Sequence, residues 1–289
     1  MKFIFISDTH FGGRNLTGFQ MQPRYVEHAR EIISAIDRLA RQEKVDMVIH
    51  GGDVTDNGLP EEIELAASLC KEYLSVPMIV GLGNHDCMQN NCEASWLDLA
   101  PMFFPDGRLD TTIIRDGVRT DVLSLHWGHK SREWRSADGQ IIHLNEVQYE
   151  LLRSGEQNLP RVLVMHCQLR PARKEQTGLN NDILIPENNF AAIGDGLISE
   201  FDPVLTLSGH IHMNLLDKIS NTFAVAVSST AETPFECKVV EILPEKLSMQ
   251  TVSLAPELAF TPQYREENRY VQGSEAIRHF ETVLYVNRQ

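Results

Sequence analysis

Five polar clusters, each directly behind a short apolar run, constrain this chain more than any other feature. They are Asp8-Thr9-His10, Gly52-Asp53 with Asp56 close behind, Gly83-Asn84-His85-Asp86, His166, and Gly209-His210-Ile211-His212. The runs ahead of them, FIFIS, DMVIH, PMIVG, RVLVMH and PVLTLS, read as buried strands. Strands that bring their carboxyl ends to one edge of a sheet would gather side chains far apart in sequence into a single crevice.

Between these runs the pattern turns helical. An amphipathic helix is predicted to begin near Pro23, with Val26, Ile32, Ile33, Ile36 and Leu39 largely on one face. A second is predicted from about Pro60, whose ring suits a first helical turn. The resulting βαβαβ order implies right-handed crossovers and a largely parallel sheet. From Thr111 onward, TTIIR, DVLSLHW and GQIIHL are separated by Gly and Asp turns and read as an antiparallel second sheet. NEVQYELLRSG reads as a helix stopped by Gly155, and TFAVAVS, CKVVEIL and LSMQTVSL are strand-like at hairpin spacing.

The expected fold is α/β: a four-layer α/β/β/α sandwich of two mixed sheets flanked by helices, forming one domain over residues 1–255. Residues 256–289 read as a tail that packs on the core, covers the site or meets a partner subunit in a homo-oligomer. Its last part, SEAIRHFETVLYV, is predicted as a closing helix with Ile277, Phe280 and Leu284 on one face.

Charge narrows the function. The net charge is −14, from 26 Lys and Arg against 40 Asp and Glu, which argues against docking on long nucleic acid. No apolar run approaches the roughly 18 residues of a membrane span. FIFIS follows Lys2 at once, unlike a secretory leader, so a cytoplasmic location is expected. The five cysteines, Cys70, Cys87, Cys92, Cys167 and Cys237, form no CxxC pair and are expected to be reduced thiols.

The clusters supply two hard carboxylates (Asp8 and Asp53), four imidazoles (His10, His166, His210 and His212) and the amide oxygen of Asn84. A mixed oxygen and nitrogen set without thiolate suits two ions of Mn, Fe, Zn or Co rather than Mg or Ca. Two divalent ions with two carboxylates and a hydroxide leave a local charge of about +1, which attracts a phosphoester despite the acidic surface. Coincidence is a poor reading: Gly-Asn-His-Asp should occur in on the order of one chain per thousand of this length.

In their order and spacing the clusters resemble the calcineurin-like metallophosphoesterase superfamily, whose pattern is D-x-H, G-D, G-N-H-[DE], H and G-H-x-H; the likeness covers roughly residues 1–212. The resemblance implies that Asp8, His10 and His212 hold one metal ion, that Asn84, His166 and His210 hold the other, and that Asp53 bridges them. It implies that His85 binds no metal and instead donates a hydrogen bond or proton to the phosphate or leaving group. It also implies attack by a metal-held hydroxide without a covalent enzyme intermediate. The carboxylate of Asp56 is expected to pair with His85 and favour its charged form.

Protein phosphatases of that superfamily carry Arg where this chain has Asn57. The run Gly52-Asp53-Val54-Thr55-Asp56-Asn57-Gly58 is more similar to the bacterial cyclic-nucleotide and glycerophosphodiester phosphodiesterases. The resemblance therefore implies a phosphodiesterase acting on a small phosphoester, a nucleotide among the candidates. A phosphomonoesterase acting on a metabolite or phosphoprotein, and a catalytically silent scaffold with the same fold, are the alternatives. One run departs from the family, His126-Trp127-Gly128-His129-Lys130-Ser131-Arg132-Glu133-Trp134-Arg135. Here Trp127 or Trp134 could stack on a base while Arg132 and Arg135 meet a phosphate. The simpler reading is a loop anchored by its aromatic residues.

Overall fold

A computed structural model of the chain describes residues 1–127, 132, 142–186, 188–243 and 245–284. Arg135, Trp134 and His129 of the family-atypical run lie outside the described residues. The strands are β1 (Lys2–Ile6), β2 (Met47–His50), β3 (Met78–Val80), β4 (Thr111–Arg115), β5 (Val118–Leu123), β6 (Arg161–Met165), β7 (Leu205–Ser208), β8 (Leu215–Ile219), β9 (Thr222–Ala226), β10 (Glu236–Leu243), β11 (Lys246–Ser253) and β12 (His279–Val283). The helices are α1 (Ala29–Glu43), α2 (Pro60–Tyr73), α3 (Cys92–Leu99), α4 (Glu146–Arg153), α5 (Lys174–Thr177) and α6 (Asn188–Phe201).

Two mixed sheets form, in the orders β12-β11-β10-β1-β2-β3 and β4-β5-β6-β7-β9-β8. Alternation along β1 explains how both faces are buried. Phe3 and Phe5 enter the layer between the sheets with Met47, Ile49, Val162, Val164, Leu205 and Leu207. Ile4 and Ile6 face outward into the second core, against Ile32, Ile33 and Ile36 of α1 and Ile63 and Ala66 of α2. Each such fully buried aliphatic side chain contributes about 1.5–3 kcal/mol by leaving water.

Several expectations are corrected. The second sheet is mixed rather than antiparallel, because β5, β6, β7 and β9 pair in parallel and only its two edges are antiparallel. The three late runs also divide between sheets: β9 joins the second, while β10 and β11 form a hairpin in the first. Helix α1 starts at Ala29, after a 3₁₀ turn at Val26–His28, rather than near Pro23. Pro23 and Arg24 instead form bridges to Thr17 and Glu232, and Tyr25 N donates to Ala231 O at 2.9 Å.

The predicted closing helix is in part a strand. Over His279–Val283 exposure alternates with period two, and Phe280 stacks on Phe223 with ring centroids 4.2 Å apart. Pairing with β11 places residues 279–283 at the edge of the first sheet. Earlier in the tail, Val271 O accepts from Asn214 N at 2.8 Å and Ile277 is buried.

Candidate metal centre

The clusters follow the carboxyl ends of β1, β2 and β3 in one sheet and β6 and β7 in the other, so the crevice lies where the two sheets' edges meet. Tight turns aim the side chains inward. Asp8, His10, Asp53, His210 and His212 all have positive φ, between 46° and 69°. Such backbone costs about 1 kcal/mol or more per non-glycine residue and persists where surrounding structure enforces it. Main-chain bonds do so here: Asp8 N to Gly52 O at 3.0 Å, His10 N to Asp53 O at 3.0 Å, and Gly209 N to His166 O at 2.9 Å. Glycine allows the close approach. A Cβ on Gly209 would overlap Ser7 Oγ and the Asp8 carboxylate, and one on Gly83 would overlap the Asp53 carboxylate.

The donor atoms converge in two overlapping sets. In the first, His10 Nε2 lies 3.3 Å from His212 Nε2, which lies 3.3 Å from Asp8 Oδ1. In the second, His166 Nε2 lies 3.2 Å from Asp53 Oδ2 and 3.3 Å from His210 Nδ1, which is 3.1 Å from Asn84 Oδ1. Asp53 stands between the sets, its Oδ2 also 4.0 Å from His10 Nε2. Donors around one ion with bonds of about 2.0–2.2 Å stand roughly 3.0–3.5 Å apart, so these spacings match the edges of a coordination shell.

The electrostatics point the same way. Burial opposes charge on every group here, yet His212 and His166 face Asp8 and Asp53 and hold both carboxyls well below the usual carboxylate range. Burial also opposes charge on His166 and His212, but Asp53 beside the first and Glu232 with Asp8 beside the second push them up to about 9 and about 10. His10 and His210, where burial wins, are pushed down, His210 to about 4. The carboxylates thus favour positive charge at His166 and His212.

His85 forms a third group with His10 and Asp53, their ligand-type atoms within 4.8 Å of one another. Its main-chain N donates to Asp53 Oδ1 at 2.9 Å, and its ring meets that of His10 edge-on, centroids 4.7 Å apart. Its Nδ1 contacts the main-chain oxygen of Asp56 at 2.6 Å. A carbonyl only accepts, so Nδ1 carries a proton and Nε2 is the nitrogen left for a substrate.

This corrects the expected Asp56 pairing. The Asp56 carboxylate lies 3.3 Å from His10 Nδ1, at an angle short of a hydrogen bond, and 3.3 Å from Arg24. The cause is Asp86, fully buried, which accepts from Val54 N, Thr55 N and Thr55 Oγ1 and so sets the loop between Asp53 and Gly58. The loop presents the Asp56 carbonyl to His85 as its hydrogen-bond partner, while the carboxylate interacts with His85 through charge alone.

Arg132 is corrected too. It is buried, with its guanidinium 2.6 Å from Asp110 and 3.4 Å from Glu93, and it donates to Ser124 O. Its charge is committed to protein carboxylates rather than to a phosphate. Trp127 is fully buried, with its ring 6.2 Å from those of His166 and His210, so it anchors the chain beside the site.

Sequence reasoning missed three residues. Glu232 Oε1 meets His212 Nδ1 at 2.9 Å and Arg24 at 2.8 Å, and Arg24 reaches on to Asp56. One guanidinium therefore ties together the two carboxylates behind His212 and His10. His50, also buried, receives Gly52 N at its Nδ1 and meets Thr9 Oγ1 at 3.0 Å through Nε2. The Thr9 hydroxyl proton goes to Val54 O, so His50 donates from Nε2 and is neutral, in keeping with burial pushing it down to about 3. No disulfide joins the five cysteines, all buried and all among the described residues.

Residues 1–214 match the sequence profile of a family described as calcineurin-like phosphoesterase. No curated protein sequence matches the chain. Among solved structures, a dimetal phosphatase from Danio rerio is similar with a TM-score of 0.64 at 13% identity, covering 95% of this chain and 99% of that one. A purple acid phosphatase from yellow lupin (Lupinus luteus) gives 0.58 at 13% identity, covering 90% of this chain and 52% of the lupin chain. GAP50 of Plasmodium, an anchor in the inner membrane complex, gives 0.55 at 11% identity, covering 92% and 89%. At these identities the likeness is one of fold. Among the described residues no helix is long and apolar enough to cross a membrane.

Proposed function

We propose, from the premise that this chain belongs to the calcineurin-like phosphoesterase family, that its crevice hydrolyses phosphodiesters with two metal ions. Asp8, His10 and His212 are assigned to one ion, Asn84, His166 and His210 to the other, and Asp53 to both. When bound, such a pair supplies a water made acidic enough to attack at neutral pH and positive charge for the phosphoryl oxygens. The chain's residues do the rest. Asn84 and His85 adjoin the phosphate, and His85, with a second proton on Nε2 beside the one that Nδ1 gives to Asp56 O, would hand that Nε2 proton or a hydrogen bond to the departing oxygen. The Asp56 carbonyl holds the opposite nitrogen and fixes the ring's direction. The metals are drawn from Mn, Fe, Zn and Co, since oxygen and nitrogen donors accept all four.

One observation carries the choice of diester over monoester. At the position where the superfamily's protein phosphatases have Arg, Asn57 turns its amide to Glu62 at 3.1 Å and to Asp56 at 3.3 Å. Arg24, the nearby buried cation, is already held by Glu232 and Asp56. A local charge of about +1 then suits a phosphodiester monoanion better than a monoester dianion. A monoester is the second reading; Arg14 lines an adjoining recess, but Asp56, Glu61 and Glu62 line it too and outnumber that one cation. Reconstitution with Mn, Fe, Zn or Co, followed by rates on bis(p-nitrophenyl) phosphate and p-nitrophenyl phosphate, separates the two. The diester is expected to be preferred; preference for the monoester overturns the assignment.

Two further outcomes follow from the assigned ligands. Metal ligation requires neutral imidazoles, and the neighbouring carboxylates favour the protonated forms of His166 and His212, so loading should release about two protons per chain from these rings, with ionisation of the held water adding to them. Calorimetric titration in buffers of different ionisation enthalpy reads this number; zero release contradicts the ligand set. Glu232→Gln keeps an acceptor for Arg24 but removes the charge behind His212. It should weaken metal binding about 10- to 100-fold, measured by competition with a chelator.

A further inference from the structure

Resting on that reading, we propose that one ester substituent of the substrate is an uncharged apolar group, a single ring or short alkyl chain, seated in a cleft beside His210. The cleft holds about 200 Å³, and His210, an assigned ligand, forms part of its wall. Phe19, Trp127, Ile185, Phe190 and Ile211 are among its apolar walls, and among the described residues no Asp, Glu, Lys or Arg lines it. Phe19 approaches the other histidine of the same loop, with its ring 5.9 Å from that of His212. An ester group on a phosphate held at the crevice therefore needs to extend only past one imidazole to reach these walls.

Exposure supports a ligand here. Phe19 is 59% exposed and Ile185 71% exposed, on opposite sides of a recess that opens on the site. Large apolar side chains gathered around a polar centre mark a surface that is covered in use. Charge selects the occupant. A second phosphate or a carboxylate entering this cleft would lose water and meet no cation among the described lining residues, in a chain of net charge −14. A nucleobase would bring several donors and acceptors to walls whose amide, Gln168, already donates to Leu184 O at 2.9 Å. Size agrees, since about 300–1,000 Å³ is usual for drug-sized ligands and this cleft is smaller.

The test uses phosphonates, which carry one substituent each and need no turnover. Methylphosphonate and phenylphosphonate are titrated calorimetrically into the metal-loaded protein and into its Ile185→Asp variant. Phenylphosphonate is expected to bind about tenfold tighter or more, and Ile185→Asp should erase the difference. Equal affinities in the parent protein, or a phenyl preference that survives Ile185→Asp, overturn the cleft assignment. Failure of either phosphonate to bind with two metals present overturns the phosphoesterase reading itself.

Discussion

His85→Ala is expected to lower kcat about 10²- to 10⁴-fold while both metal ions stay bound. The prediction rests on position. The ring borders both donor sets, the main chain at His85 contacts Asp53, and Nδ1 is held by a carbonyl that leaves Nε2 facing outward chemistry. The His85 N–H to Asp53 is a main-chain bond, so truncating the side chain leaves it in place. A rate measured at saturating substrate, beside metal content by elemental analysis, distinguishes this role from ligation. A parallel loss of metal and rate would make His85 a ligand; retention of rate would remove it from the reaction. The effect should shrink for esters with very acidic leaving groups, which need no proton to depart.

Asp53→Asn should have the larger effect on the centre as a whole. Asn tolerates left-handed backbone about as well as Asp, so the φ of 54° at this position survives the change. Side-chain size is also kept, and what disappears is the charge between the two sets. Metal affinity is expected to fall by more than about 100-fold, beyond the loss typical of an outer-shell partner, and hydrolysis with it. In the metal-free protein the same variant should bring His166 down from about 9, because Asp53 is the carboxylate that outweighs burial there. Titration of His166 by NMR reads that shift. Full metal binding by Asp53→Asn would exclude a bridging role.

What the sequence disclosed and what it hid differ by the range of the interactions involved. Buried strands announce themselves as dense apolar runs, and the ligand-type residues sit immediately behind them, so β1, β2, β3, β6, β7 and the facing clusters were legible from local pattern. The outer supports were not. Arg24 lies in an irregular stretch and meets Glu232, a residue 208 positions away, through a pairing that no periodicity signals. Asp86 was visible within Gly-Asn-His-Asp, but its work on the Asp53–Gly58 loop depends on tertiary placement, and that placement turns the Asp56 carboxylate from His85 to His10. The tail misled for another reason. Ile277, Phe280 and Leu284 fit helical spacing, yet Phe280, Thr282 and their neighbours also fit period two, and an open edge at β11 decided for the strand.

On the proposed assignment these supports bear on the metal ions together with the ligands. Arg24 joins Glu232 and Asp56, so the charge behind His212 and the charge beside His10 are parts of one network. A metal held by His10 and His212 would be tuned by both carboxylates together. The apolar cleft is lined by His210 and Ile211 of the same loop, so on the proposed reading substrate choice and metal tuning lie within a few residues of each other.

On the proposed assignment the five clusters form one centre that works only with two ions. Metal added stepwise to metal-free protein, with bis(p-nitrophenyl) phosphate hydrolysis and bound metal followed together, checks this. Binding should saturate at two ions per chain, with hydrolysis rising to its plateau as the second site fills. A plateau at one ion, or no hydrolysis with two ions bound, would contradict it.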